Sequence, residues 1–388
     1  MLVLFAFVGC RINFDVLNDS AVNDGVDADG GIATRVCGDT SGLLAGAAWP
    51  LIHGCPTNAR RSPFAGPVVN TARLGPVFSD AAQTGVVIGA NEQVLFAIYN
   101  PGTTSAFDSA TGGIGWTLDT AGARPHLALA AGADLFVPTD HGVVYCVDGA
   151  AGKLRWQIQL SGSFSAPVIA GPGTVYVGTA GYGVYAIDIA SRKQKWNFTP
   201  PGGGALEAPA VGNGLVYYLD TLGSRFYGLE AEKGSKIFDV AVVGSAVGAP
   251  VLGLDGVYVA TSSNGIAAFD PQTGALRWQE PAIAEATVQP ALRANGDLVS
   301  STASGHAFVL EHAAGTVVSS FELGANVVAP PVIDGNDIAY YATTNGTTAI
   351  DPVDGAVRWL ATPAGKLALG NGVLVVLPPQ GQFVVIAP

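Results

Sequence analysis

The most restrictive feature of the sequence is a three-residue punctuation that returns about every 40 residues. An acidic residue is followed four places later by glycine and eight places later by an aromatic residue. Asp108, Gly112 and Trp116 form one complete copy, and Asp148, Gly152 and Trp156 another. Asp270, Gly274 and Trp278, and then Asp351, Gly355 and Trp359, complete two more. Asp188 and Trp196 enclose Arg192 where glycine is expected, Glu230 and Gly234 lead to Phe238, and Glu311 with Gly315 begins a degraded copy. The acidic positions are spaced 40, 40, 42, 40, 41 and 40 residues apart. A repeat of that length is one supersecondary unit that must stack on its neighbours to bury its core.

Each residue type has a local reason. An acidic side chain folds onto backbone amides downstream and starts a turn. Glycine supplies the positive φ that closes it. The aromatic sits in the next strand, where it packs between sheets. Strand-like runs precede each acidic residue, as in Val143–Val147 and Ile266–Phe269, and other strands lie upstream, as in Thr174–Gly178. Further upstream come Pro125, Pro167, Pro209, Pro250, Pro290 and Pro331, a residue suited to the first position of a strand. The unit therefore reads as four strands, A to D, which is a propeller blade. After the seventh unit, residues 366–370, 373–378 and 382–387 supply three strands, and Thr71–Phe78 fits as the missing outer one. The expected fold is all-β, an eight-bladed β-propeller of four-stranded antiparallel blades closed by an N-terminal strand, with seven blades if the last strands pair otherwise.

Composition narrows the function. The net charge is −12, with 18 Lys+Arg against 30 Asp+Glu, so no basic face is available for nucleic acid. Met1–Gly9 is almost wholly apolar but too short to span a bilayer. The order Phe7-Val8-Gly9-Cys10 resembles a bacterial lipobox, although no basic residue precedes it and Phe7 stands where Leu is usual. The expected organisation is a signal or lipobox segment over 1–10, a disordered acidic tether over 11–47 and a propeller over 48–388. Cys10 is the expected lipid attachment site. Cys37 and Cys55, 18 residues apart, are candidates for a disulfide in an oxidising compartment, or else isolated thiols. Cys146 falls on a repeated strand position filled elsewhere by Ala186, Gly228 and Ala268, a place for a small hydrophobe.

The stretch from Ala268 to Trp278, with Asp270, Thr273 and Gly274, resembles the consensus of the PQQ-like β-propeller repeat family. Trp49-Pro50-Leu51-Ile52-His53-Gly54 and Arg60-Arg61-Ser62-Pro63 resemble the N-terminal lead-in of such propellers. The resemblance implies the fold, and its branches imply different functions. Quinoprotein dehydrogenases of the family bind pyrroloquinoline quinone and calcium. Here no two cysteines are adjacent, and Glu207, Glu285 and Asp297 are dispersed without a ligand pattern. No cofactor, metal or catalytic residue is therefore expected. His53, His126, His141, His306 and His312 belong to no metal-binding or hydrolase motif. The BamB-like lipoprotein branch implies a monomeric, non-enzymatic scaffold in the bacterial cell envelope, membrane-associated through its lipid and facing the periplasm or surface. Its partner would be a protein or polymer, held by B–C loops such as Thr179–Gly183, Thr221–Ser224, Ser262–Gly265 and Thr343–Gly346. Carbohydrate binding through exposed Tyr182 and Tyr340 is the remaining alternative, beside the dehydrogenase.

Overall fold

The computed structural model describes residues 36–78, 85–90, 94–99, 102–120, 126–203, 207–280, 288–379 and 381–387. These form eight four-stranded antiparallel sheets, and no α-helix occurs among them. Blade three is representative: strand A is Ser163–Ile169, B is Thr174–Ala180, C is Gly183–Asp188 and D is Lys193–Phe198, hydrogen-bonded in that order. Strands B and C are buried along nearly their whole length, whereas D alternates and meets solvent.

The eighth blade joins the two ends of the described chain. Ala72–Phe78 is its outer strand and pairs antiparallel with Gly381–Ile386, with Ala72 opposite Ile386 and Phe78 opposite Gly381. Its inner strand, Lys366–Leu369, touches the inner strands of both neighbours, Val327–Ile333 of blade seven and Val86–Ile88 of blade one. An edge paired in this way is unavailable to other chains.

The repeated motif works between blades as well as within them. Asp108 Oδ1 accepts the amides of Ala110 and Thr111 at 2.9 and 2.8 Å, and Asp270 Oδ1 those of Gln272 and Thr273 at 3.0 and 2.9 Å. The glycines adopt positive φ, from Gly152 at 66° to Gly315 at 73°. A second reason for glycine emerges from the packing, because the aromatic of the preceding blade lies directly upon it. A Cβ on Gly152 would stand 2.5 Å from Trp116, on Gly234 2.6 Å from Trp196, and on Gly274 2.4 Å from Phe238. The indoles also reach into that turn: Trp116 donates to Gly149 O at 3.0 Å and Trp196 to Ala231 O at 2.9 Å. In blade three Arg192 takes the glycine position at φ 60°. The ring that precedes this turn, Trp156, is buried with no hydrogen-bond partner for its Nε1 among the described residues.

Residues 1–35, and with them Cys10 and most of the expected tether, lie outside the described residues. From Val36 onward the chain is already packed, since Val36, Cys37 and Leu43 are buried. Residues 36–47 of the expected tether are therefore packed against the ring. Averaging a polar composition across 11–47 concealed this short apolar end.

Candidate functional site

Segment 36–66 precedes the first blade strand and forms a plug across one face, at the ends of the inner strands. It bonds to blade after blade. Ile88 N donates to Trp49 O at 2.8 Å in blade one, and Ala131 N to Gly42 O at 2.9 Å in blade two. Gly171 N donates to Asp39 O at 3.2 Å in blade three, Val211 N to Pro56 O at 2.8 Å in blade four, and Leu252 N to Thr57 O at 2.9 Å in blade five. Leu292 N donates to Ala59 O at 2.9 Å, Ile333 N to Arg60 O at 3.0 Å and Gly372 N to Ala65 O at 2.7 Å, in blades six, seven and eight. Cys37 and Cys55 are joined as a disulfide with Cα atoms 5.3 Å apart, which clips the start of the plug to its middle.

Two plug residues in the left-handed region, Asn58 at φ 59° and Arg60 at φ 51°, aim side chains into the ring. Asn58 Nδ2 donates to Pro209 O at 3.1 Å and Pro250 O at 3.0 Å, and lies 3.4 Å from Ala208 O. Arg60 Nε donates to Pro331 O at 2.9 Å, and its amide to His53 O at 3.0 Å. Arg61 forms an ion pair with Asp337, which Arg293 also approaches at 3.6 Å. Ser62, buried, donates to Ala48 O at 3.2 Å.

Above the plug lies the central channel. Its walls come from the first halves of the inner strands and the residues just before them: His126 in blade two, Ser165 in three, Glu207 in four, Gly248 in five, Gln289 in six and Lys366 in eight. Burial pushes His126 down to about 4, with Lys366 adding repulsion and Asp140 opposing it. His53, reaching up from the plug, is lowered to about 3 by burial and then by Arg60, against a hydrogen bond to Gln289. Burial raises Glu207 to about 7 and lowers Arg60 to about 10. Lys366 is lowered too, first by burial and then by Arg60.

Elsewhere the residues singled out in the sequence have structural duties. Trp116, Trp156, Trp196, Trp278 and Trp359 lie on the D strands, and Trp359 donates to Pro67 O at 2.9 Å, where the N-terminal segment stands in for the missing turn of blade eight. Cys146 is a buried free thiol. Asp297, Glu311 and His312 bring potential metal-ligand atoms within 4.8 Å of one another. Asp297 is already engaged there, by Asn295 Nδ2 at 2.7 Å and by His312 through its amide at 3.3 Å and its Nδ1 at 3.2 Å, and Arg293 stands 3.8 Å away. Glu285 lies outside the described residues, while Glu207 and Asp297 are two blades apart. His306, half-buried, pairs with Glu322 at 2.7 Å, and the largely exposed His141 lies 3.9 Å from Asp140. Tyr340 is a correction: it is 1% exposed and donates to Asp334 Oδ2 at 3.0 Å, so it offers no platform for a sugar. Its strand, Ala339–Thr343, is buried along its whole length.

The face opposite the plug carries the B–C loops and the D-to-A connections. The loop threonines mainly close hairpins: Thr179, Thr261 and Thr343 donate to Gly183 O, Gly265 O and Gly346 O at 3.1, 2.9 and 3.2 Å. Large apolar side chains stand out beside them. Tyr182 is 45% exposed, Leu222 77% and Val243 63%. They are neighbours around the rim. A Cβ on Gly203 would lie 3.3 Å from Gly181, and one on Gly202 3.2 Å from Asp220 at the base of the Leu222 loop. Val242 N donates to Ser224 O at 2.9 Å, which sets Val243 beside that same loop.

Comparison with known proteins agrees with this architecture. Among solved structures, BamB from Moraxella catarrhalis superposes with a TM-score of 0.63 at 17% identity, covering 81% of this chain and 100% of that one. The computationally designed Ika8 protein gives 0.70 at 15% identity over 81% and 98%. A europium-containing methanol dehydrogenase gives 0.67 at 14% over 88% and 98%. At such identities the likeness speaks for the fold alone. No curated protein matches the sequence. The family described as outer membrane protein assembly factor BamB matches residues 100–207, 173–303 and 284–386. With well over half of its length matched in this way, the chain belongs to the BamB family of β-propellers.

Proposed function

We propose that the protein is a non-enzymatic scaffold of the bacterial cell envelope, anchored by a lipid on Cys10, whose unplugged face docks a protein partner. The observation that carries this reading is the set of exposed apolar side chains at Tyr182, Leu222 and Val243, on neighbouring loops of blades three and four. Family membership supports the same reading. Apolar residues exposed together on a rigid surface mark contact sites, and aromatic anchors contribute disproportionately to binding. The loops that carry them are short and braced by the threonine bonds, so little conformational entropy is lost on docking.

The test is photo-crosslinking from position 222 in the native envelope, followed by the same capture with Leu222→Asp. One discrete adduct from position 222, absent from a control site on the plug face and weakened at least about tenfold in affinity by Leu222→Asp, is expected for a central apolar contact. The variant should melt normally, because the side chain touches solvent. Adducts of equal yield from both faces would remove the docking assignment. Robust alcohol or sugar oxidation on adding pyrroloquinoline quinone, calcium and an electron acceptor would replace the scaffold by the dehydrogenase reading.

A further inference from the structure

The plug end of the channel concentrates positive charge in a chain whose net charge is −12. Four basic side chains from three separate parts of the sequence act on one another there: His53 and Arg60 from the plug, His126 from blade two and Lys366 from blade eight. His53 and Arg60 are tied together by the amide-to-carbonyl bond of 3.0 Å. Arg60 is buried, and its guanidinium is held by neutral carbonyls, Pro331 O at 2.9 Å and Pro330 O at 3.3 Å. Among the described residues no carboxylate lies within ion-pairing distance of Arg60. Asp140 acts on His126, whereas Arg60, Lys366 and His126 all act on His53 with the same sign.

Two further atoms at this place lack partners. His53 Nδ1 and Gln289 Nε2 are both buried without a hydrogen bond, and the Gln289 side chain acts on the His53 ring. A buried amide donor left unmade costs on the order of 1–3 kcal/mol, and a buried cation without counter-charge costs more. Proteins tolerate such an arrangement where a ligand completes it. An oxyanion fits each element. It accepts from the Gln289 amide, pairs with the Arg60 and Lys366 cations, and lets imidazoles that are neutral in its absence take up protons and donate.

We infer that the plug end of the channel is a binding site for a small oxyanion, a carboxylate or phosphate group, held by Arg60, Lys366, His53, His126 and Gln289. This site is independent of partner docking on the outer rim, so either can fail without the other. Binding draws protons onto His53 and His126, and affinity therefore rises as pH falls below neutrality.

The experiment is calorimetric titration of the purified protein with inorganic phosphate and, separately, with succinate at constant ionic strength, alongside NMR of the histidine ring signals. Saturable one-site binding is expected, with the His53 and His126 signals moving toward the charged form as the site fills. Phosphate alone would assign a phosphate-bearing ligand, succinate alone a carboxylate-bearing one, and both an unselective oxyanion site. Lys366→Gln should weaken binding about tenfold or more, the loss expected for one charge-assisted hydrogen bond. Absence of saturable binding for both anions, unmoved histidine signals, or an affinity unchanged from the unaltered protein in both Lys366→Gln and His126→Gln would overturn the assignment. The histidine signals are read on the unaltered protein, so the test survives a variant that does not fold.

Discussion

The ring and the plug reach stability by opposite routes. Around the ring, one contact is repeated: an aromatic of one blade lies on the turn glycine of the next, as Trp196 on Gly234 and Trp278 on Gly315. Such a contact joins units adjacent in sequence and is written in residue types at fixed spacing. The plug repeats nothing. Asn58 reaches carbonyls more than 150 residues away and Arg60 one 271 residues away, each through a bond made once. A nearest-neighbour repeat tolerates variation at one blade, whereas a hub that every blade shares does not.

The largest expected effect breaks the ring side of this contrast. Trp196→Ala removes a buried indole and its bond to Ala231, and should cost about 3–5 kcal/mol in denaturant unfolding. A loss below about 1 kcal/mol would mean that the stacked aromatics do not hold the blades together. The channel lies between the two regions and gives the next effect. His53 and His126, lowered to about 3 and about 4, stay neutral in the fold, while the unfolded chain protonates them below about 6.5. The unfolded state therefore binds more protons as the solution is acidified, and stability falls. Glu207, raised to about 7, works the other way, since between about 4.5 and 7 the folded protein holds the extra proton. Two imidazoles outweigh one carboxyl, so unfolding measured from pH 6.5 to 4.5 should show a net loss on the order of 2 kcal/mol. A flat profile would place these groups in bulk solvent.

Asn58→Ala probes the plug by removing its bonds to Pro209 and Pro250 from a residue at φ 59°, and should cost about 1–3 kcal/mol. Asn58→Gly, which relieves the backbone, isolates the hydrogen-bond part; equal losses in both variants would show that the backbone contributes nothing. The smallest effect has the opposite sign. Arg192→Gly restores the punctuation in blade three at φ 60° and should stabilise by about 1 kcal/mol. Loss of stability there would mean that the Arg192 side chain has a contact more valuable than the relief of its backbone.

The same contrast explains what could be read from the residues. Asp108, Gly112 and Trp116 announce a turn and a packing layer within nine positions, so the blade count and the crossing of Ala72–Phe78 into the last blade followed from local chemistry. The motif accounts for glycine by a tight turn; the close approach of Trp116 to Gly152 involves a partner blade and leaves no local signal. The plug was hidden for the same cause. Asn58 and Arg60 carry no spacing signal, and the run from Val36 to Leu44 was diluted by the acidic residues before it. Likewise His53, Lys366 and Gln289 are separated by more than 70 residues at every step and meet only because the inner strands converge on one axis. Tyr340 was no more legible: an aromatic in the sequence reads as an exposed platform or as core, and only the covering of its strand on both faces decides for core.

The span of the plug's bonds has a consequence for synthesis. Its partners run from Ile88 to Gly372, so a segment made before any blade is completed last, when nearly the whole polypeptide has emerged. Until then Trp49, which packs among residues of blade eight, has no finished surface to cover it. A nascent chain of this design depends on shelter through most of its own translation, and one cut short before blade eight leaves its earliest residues without their final seat.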